Sequence, residues 1–191
     1  MKLNKLRNEC LKNEYPIMFD ESLDEIVTTL DIMSEPALLE LGSCVGYSAI
    51  YLATKSNVTI DSIEKDIERH TLARENVKEF NLTNRVNMIY DDALVYNPHK
   101  LYDVILFDAA KAQNEAFFER YFEYLKEDGI LYVDNVEFHG FVENQEGLSA
   151  RRNLAKMVRH ISDFLKMLET RKDLKVKHLS LGDGLLKIRR V

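Results

Sequence analysis

Two aspartates, one asparagine and one lysine concentrate the chemistry of this chain. Asp108 ends the apolar run Val104–Phe107, Asp134 and Asn135 follow the run Gly129–Val133, and Lys111 stands three residues beyond Asp108. If the two runs are neighbouring strands, their carboxyl ends bring two carboxylates and an amide oxygen together. That donor set suits a hard octahedral cation such as Mg²⁺, with water and substrate in the remaining positions. His70, His99, His139, His160 and His178 are scattered, which argues against zinc. The cation would chelate two neighbouring substrate oxygens, lower a hydroxyl pKa and hold the oxyanion in line for group transfer. Lys111 could take up the proton or stabilise the oxyanion. Its plainer reading is a solvent-facing lysine at a helix start, and an aspartate at a strand end is ordinarily a cap.

A second constellation lies upstream, in Glu40-Leu41-Gly42-Ser43-Cys44-Val45-Gly46-Tyr47-Ser48. Cys44 stands where the dinucleotide fingerprint needs its second glycine, so that motif is absent. Gly42 and Gly46 let a turn pass close beneath a ligand. Helix-terminal N–H groups with the Ser43 and Ser48 hydroxyls can receive a carboxylate, and Glu40 suits an ammonium group. Glu64, 22 residues after Gly42, is spaced to accept hydrogen bonds from two ribose hydroxyls. Asp91-Asp92-Ala93 can bracket an adenine, with Asp92 near its amine. In this order the features predict a nucleoside-type cofactor. Cys44 reads as a packing residue, since no base lies near it in sequence.

The elements that must position these residues alternate. Strands are expected at Ala37–Leu41, Val58–Ile63, Val86–Tyr90, Asp103–Phe107 and Gly129–Val133, as short apolar runs. Helices are expected at Gly46–Lys55, at Asp66–Phe80 with Ile67, Leu72, Ala73, Val77 and Phe80 on one face, and at Phe117–Leu125. A longer one spans Ser149–Thr170 through Leu154, Met157, Val158, Ile161, Leu165 and Leu168. Leu174–Leu181 and Leu185–Val191 flank the hairpin signal Gly182-Asp183-Gly184. Five βα repeats and a terminal hairpin predict one α/β domain over residues 1–191, with a doubly wound, seven-stranded, mainly parallel sheet. Ligands of such sheets bind at the carboxyl ends of the strands, where the unusual residues fall.

Composition narrows the classes further. No apolar run approaches the roughly 18 residues of a membrane span, and no signal core follows the basic start, so a cytoplasmic protein without a membrane partner is expected. Cys10 and Cys44 are too few for a disulfide framework. The net charge is −6, but residues 151–191 hold 12 Lys or Arg against 4 Asp or Glu, whereas residues 1–150 hold 14 against 28. The basic end is either a docking surface for an anionic partner or a solvated helix with a guarded edge strand.

These motifs resemble the cation-dependent O-methyltransferases that include catechol and caffeoyl-CoA methyltransferases. The likeness is carried by Glu40-Leu41-Gly42 through Gly46-Tyr47-Ser48, Asp108 with Lys111, and Asp134-Asn135. Within that group the chain is similar to the bacterial tRNA 5-hydroxyuridine methyltransferases. Tyr15-Pro16-Ile17-Met18, Phe107–Lys111, Asp134–Val136 with Phe138-His139-Gly140, and Gly182-Asp183-Gly184 carry that likeness over nearly the whole chain. Asp91, Ala112 and Asn114 depart from the pattern. The resemblance implies a Rossmann-like class I methyltransferase fold, a homodimer, and S-adenosylmethionine and Mg²⁺ as cofactors. Asp108, Asp134 and Asn135 would hold the metal, Asp108 would lie near the transferred methyl, and Lys111 with Asp108 would be catalytic. Met18, Glu40, Gly42, Ser43, Tyr47, Ser48, Glu64, Asp92, Ala93 and Asp108 would contact the cofactor. The expected reaction is methylation of 5-hydroxyuridine at the tRNA wobble position, whose O4 and 5-hydroxyl mimic a catechol. Arg151, Arg152, Lys156 and Arg159 would then hold anticodon phosphates. The alternatives are a small-molecule catechol-type O-methyltransferase and a non-catalytic cofactor-binding module.

Overall fold

The short apolar runs Ala37–Leu41, Asp103–Phe107 and Gly129–Val133 become strands largely buried on both faces, because helices cover both sides of the sheet they build. Val86–Tyr90 lies at its edge, with Asn87 and Tyr90 exposed. The structure is a computed structural model and describes residues 2–137 and 152–191. In chain order its elements are α1 (Lys2–Lys12), α2 (Asp20–Leu30), β1 (Ala37–Leu41), α3 (Tyr47–Lys55), β2 (Thr59–Glu64), α4 (Ile67–Glu79) and β3 (Val86–Tyr90). There follow β4 (Tyr102–Phe107), α5 (Asn114–Tyr121), β5 (Leu125–Asp134), α6 (Arg152–Thr170), β6 (Leu174–Leu179) and β7 (Leu185–Arg190). The sheet order is β3-β2-β1-β4-β5-β7-β6. β1 to β5 run parallel, and β7 joins β5 antiparallel, with β6 outermost.

The pleat sends alternate side chains to two cores. Leu38, Ile60, Val104 and Tyr132 pack with Leu23, Ile26, Ile50, Leu52 and Val77 of α2, α3 and α4. Leu39, Leu41, Ile105, Phe107 and Leu131 pack with Phe117, Tyr121, Ile161 and Phe164 of α5 and α6. β6 shows water a row of polar side chains, Lys175, Lys177 and His178, which blunts the sheet edge. No helix among the described residues is long and apolar enough to cross a membrane.

The architecture is the expected seven-stranded, mainly parallel Rossmann-like sheet, with four local differences. α1 and α2 precede β1, where no element was expected. α1 is mostly polar and buries only Leu6 and Cys10, so it shows little apolar periodicity. The helix expected over Phe117–Leu125 ends at Tyr121. A 3₁₀ turn follows at Phe122–Tyr124, and Leu125 already pairs with Tyr102 ahead of a register shift. Ile67 is exposed rather than on the buried face of α4, where His70 packs instead, its Nε2 at 3.2 Å from the Met88 carbonyl. Phe164 joins the core face of α6. Ser149, Arg151 and the segment Phe138-His139-Gly140 lie outside the described residues.

Candidate active site

The chain leaves β1 outward through β2 and β3 and returns to β4 on the other side of β1. Helices therefore diverge at the carboxyl ends of β1 and β4 and leave a crevice there. A cleft of about 360 Å³ occupies it, lined by Gly42, Cys44, Glu64, Asp91–Ala93, Asp108–Lys111, Asp134 and Asn135, with Pro16, Ile17, Lys65, Arg69, Gln113 and Phe117 at its walls.

One end of the cleft is the turn after β1. Gly42 has φ of 93°, and a Cβ on it would lie 2.8 Å from the Ala109 backbone. Only glycine lets the β1 and β4 loops meet so closely. The Gly42 and Ser43 N–H groups donate to the Ile63 carbonyl at 2.9 and 3.0 Å. Glu64 accepts from Cys44 N–H at 2.8 Å and from Asp66 N–H at 2.9 Å, one on each carboxylate oxygen. A carboxylate has about four lone-pair sites, so acceptor capacity remains toward the cleft. Asn76 donates to the Val45 carbonyl at 2.9 Å and anchors the turn to α4. Burial pushes the Cys44 thiol up to about 11, which keeps it unreactive.

The wall formed by Asp91–Ala93 is held from α5. Tyr121 donates to the Ala93 carbonyl at 2.6 Å, and the Arg120 guanidinium donates to the Tyr96 carbonyl at 2.9 Å. Asp92 accepts from Leu94 N–H at 2.9 Å and faces Lys65 at 3.6 Å.

The other end is acidic and largely buried. Phe107 pairs with Val133, so Asp108 and Asp134 leave adjacent parallel strands side by side. Asp134 is 1% exposed, and among the described residues neither of its carboxylate oxygens makes a hydrogen bond. Burial first, and then the charge of Asp108, push its carboxyl up to about 7. Burial also raises Asp108, while the charge of Lys111 pulls it back. Lys111 donates to Asp108 Oδ1 at 3.1 Å and is itself buried, so it is no solvent-facing lysine. Asn135 has φ of 59°, a left-handed conformation that asparagine tolerates. Two carboxylates crowded together with one lysine and unpaired oxygens are a donor set short of positive charge. It therefore fits a divalent cation on oxygen ligands. No group of three or more His, Cys, Asp or Glu residues among the described residues forms an alternative cation site.

The structure thus gathers Gly42, Glu64, Asp92, Ala93, Asp108, Lys111, Asp134 and Asn135 around one cleft. Met18, Glu40, Ser43, Tyr47 and Ser48 do not line it and are buried in its support. Glu40 accepts from Ser48 and Ser62, and burial pushes its carboxyl up to about 7 against those two bonds. Tyr47 turns away and donates to Asp20 at 2.6 Å. Arg152, Lys156 and Arg159 are exposed on α6 and do not line the cleft. Sequence reasoning missed Arg69, Gln113 and Phe117. The first turn of a helix that follows a sheet strand faces the strand's carboxyl end, a signal that would have found Arg69.

A seven-stranded sheet of this order, with an acidic cleft at its switch point, defines a Rossmann-like methyltransferase fold. The O-methyltransferase family pattern matches residues 1–191, and the chain belongs to that family. It is similar to a Staphylococcus aureus protein provisionally designated a caffeoyl-CoA O-methyltransferase, at 31% identity and a TM-score of 0.93, covering 100% of this chain and 93% of that one. It is 28% identical to the flavonoid 3',5'-methyltransferase of Vitis vinifera over 94% of this chain and 82% of that protein. An O-methyltransferase from Bacillus cereus in complex with SAH shares the fold, at 21% identity and a TM-score of 0.82, covering 100% of this chain and 90% of that one.

Proposed function

We propose that this chain methylates an acidic hydroxyl beside a second oxygen on a small molecule of catechol type, using S-adenosylmethionine and a divalent cation. The observation that carries the reading is Asp134, buried, without a hydrogen-bond partner among the described residues, and side by side with Asp108. Relatives named for caffeoyl-CoA and flavonoid methylation support the substrate class. A structure of the same fold in complex with SAH supports the methyl donor.

Asp108, Asp134 and Asn135 would hold the cation, which supplies Lewis acidity to the hydroxyl and countercharge to its oxyanion. Glu64 and the Asp91–Ala93 wall would fix the nucleoside of the donor, and Gly42 would admit its amino-acid end. Lys111, braced on Asp108, would stabilise the oxyanion from the protein side. Ile17 and Phe117 would help exclude water from the transfer path.

The ribose assignment is tested at Glu64. Glu64→Ala removes a ribose acceptor and unties Cys44, so SAH should bind more weakly by about 1–3 kcal/mol, roughly 5- to 150-fold, in calorimetric titration. An unchanged dissociation constant would leave Glu64 only a structural tie of the turn.

A second reading keeps the chemistry and changes the substrate to 5-hydroxyuridine in tRNA. The exposed Arg152, Lys156 and Arg159 on α6 favour it, as a phosphate track on an acidic protein. One assay separates the readings: labelled methyl transfer to a catechol and to tRNA carrying 5-hydroxyuridine, with and without EDTA. Cation-dependent transfer to the catechol is the expected result. Transfer to tRNA alone, weakened at higher salt and by Arg152→Ala with Arg159→Ala, would favour the second reading. Transfer to neither would favour a non-catalytic module, and full activity in EDTA would remove the cation. The homodimer belongs to the same proposal and is checked by light scattering.

A further inference from the structure

The Gly182-Asp183-Gly184 turn joins β6 to β7, yet its contacts reach beyond the hairpin. β5 and β7 pair in register as far as Asp134 opposite Leu185. The left-handed kink at Asn135 would end the ladder there, but two backbone bonds carry it onward. Val136 N–H donates to the Gly184 carbonyl at 3.1 Å, and Glu137 N–H donates to the Asp183 carbonyl at 3.0 Å. His178 of β6 closes on Glu137 at 3.1 Å. On the opposite side, Gly182 N–H donates to the Glu21 carboxylate in the first turn of α2. Asp183 itself is buried, and its charge reaches the Asp134 carboxylate. The turn therefore stands between the start of α2 and the pair Asp134-Asn135, at and just beyond the end of β5.

We propose that this turn is the positioning device for Asp134 and Asn135, with Gly184 as its positioning residue; the inference rests on the cation reading given above. A left-handed residue other than glycine is strained, less so for asparagine, and persists only where its surroundings hold it. Here the two bonds from residues 136 and 137 do the holding. Gly184 has φ of 83°, and a Cβ on it would lie 2.6 Å from Glu137 Cγ and 2.9 Å from Glu137 N. Any side chain at 184 must displace the segment that carries Asn135. The Gly42–Gly46 turn lies across β4 from this contact and keeps its own supports, so the nucleoside end of the cleft should be spared.

The test uses the full chain and Mn²⁺, a paramagnetic cation that takes the same oxygen ligands as Mg²⁺. Binding is read by electron paramagnetic resonance, beside calorimetric titration with SAH in the absence of cation. Gly184→Ala should weaken Mn²⁺ roughly ten- to hundredfold, the usual effect of losing support behind a ligand. Its SAH affinity should stay within about threefold, as for a distant independent site. Wild-type Mn²⁺ affinity in a folded Gly184→Ala variant would overturn the proposal. So would equal losses of Mn²⁺ and SAH, which mark general damage. If Gly184→Ala shows no cooperative melt, Glu21→Ala decides. It removes only the outer anchor of the turn and should weaken Mn²⁺ severalfold, whereas unchanged affinity overturns the proposal. Wild-type protein that binds SAH but no Mn²⁺ would sink the cation reading itself, and this inference with it.

Discussion

Asp134→Asn should abolish methyl transfer and at the same time stabilise the cation-free protein. Both effects come from one feature, a carboxylate that is 1% exposed, beside Asp108, with neither oxygen hydrogen-bonded among the described residues. A bound cation contributes several kcal/mol of charge stabilisation at the transferring oxygen. At 1.36 kcal/mol per factor of ten, losing the ligand that holds it should lower kcat by roughly a thousandfold or more. Without the cation the same carboxylate is a buried group with its bonds unmade, which costs about 1–3 kcal/mol. The amide keeps the volume and removes the like-charge repulsion, so the variant should melt higher than wild type in EDTA. In excess Mg²⁺ the order should reverse, because only wild type gains from binding. SAH affinity should be little changed. Activity within about tenfold of wild type would remove Asp134 from the chemistry.

Lys111→Met should lower kcat by about 10²–10⁴, the range for losing a positioned charged group or proton carrier at the reacting oxygen. Its stability effect should have the opposite sign to that of Asp134→Asn. Lys111 Nζ stands 3.1 Å from Asp108 Oδ1, with side chains only 10% and 16% exposed. Breaking such a pair from one side leaves two adjacent carboxylates without a cation, a loss of about 3–5 kcal/mol in comparable buried pairs. Methionine keeps most of the stem's packing, so the charge is what is tested. Mg²⁺ should restore part of the lost melting temperature by supplying the missing positive charge. Thermal melts of the variant with EDTA and with Mg²⁺ measure this. A variant equally stable in both, with kcat unaffected, would reduce Lys111 to a packing residue.

The sequence by itself determined most of the sheet. Ala37–Leu41 and Val86–Tyr90 appear as strands with the boundaries expected of them: the first is an almost continuous apolar run buried inside the sheet, the second an edge strand that buries Val86 and exposes Asn87 and Tyr90. Asp66 and Phe80 delimit α4, since Asp66 accepts from the Glu68 and Arg69 N–H groups, as a capping residue should. The acids at the ends of β1, β2, β4 and β5 were legible for the same reason: each interrupts or closes an apolar run. α1 was not, as it buries only Leu6 and Cys10.

Only the tertiary structure decided which of these residues meet. Adjacent strands β4 and β5 put Asp108 beside Asp134, although 26 residues separate them in the chain. Lys111 is buried against Asp108 rather than exposed at a helix start. Glu40 and Ser48, which by spacing alone suit a ligand's ammonium and carboxylate, bond each other beneath the cleft. Tyr47 is spent on Asp20 of α2, a helix whose place on the sheet no local pattern announced. Within one element, spacing fixes which side chains share a face. Between elements, the crossovers and the two cores choose the neighbours. A polar side chain near the cleft then bonds whichever partner packing brings within reach.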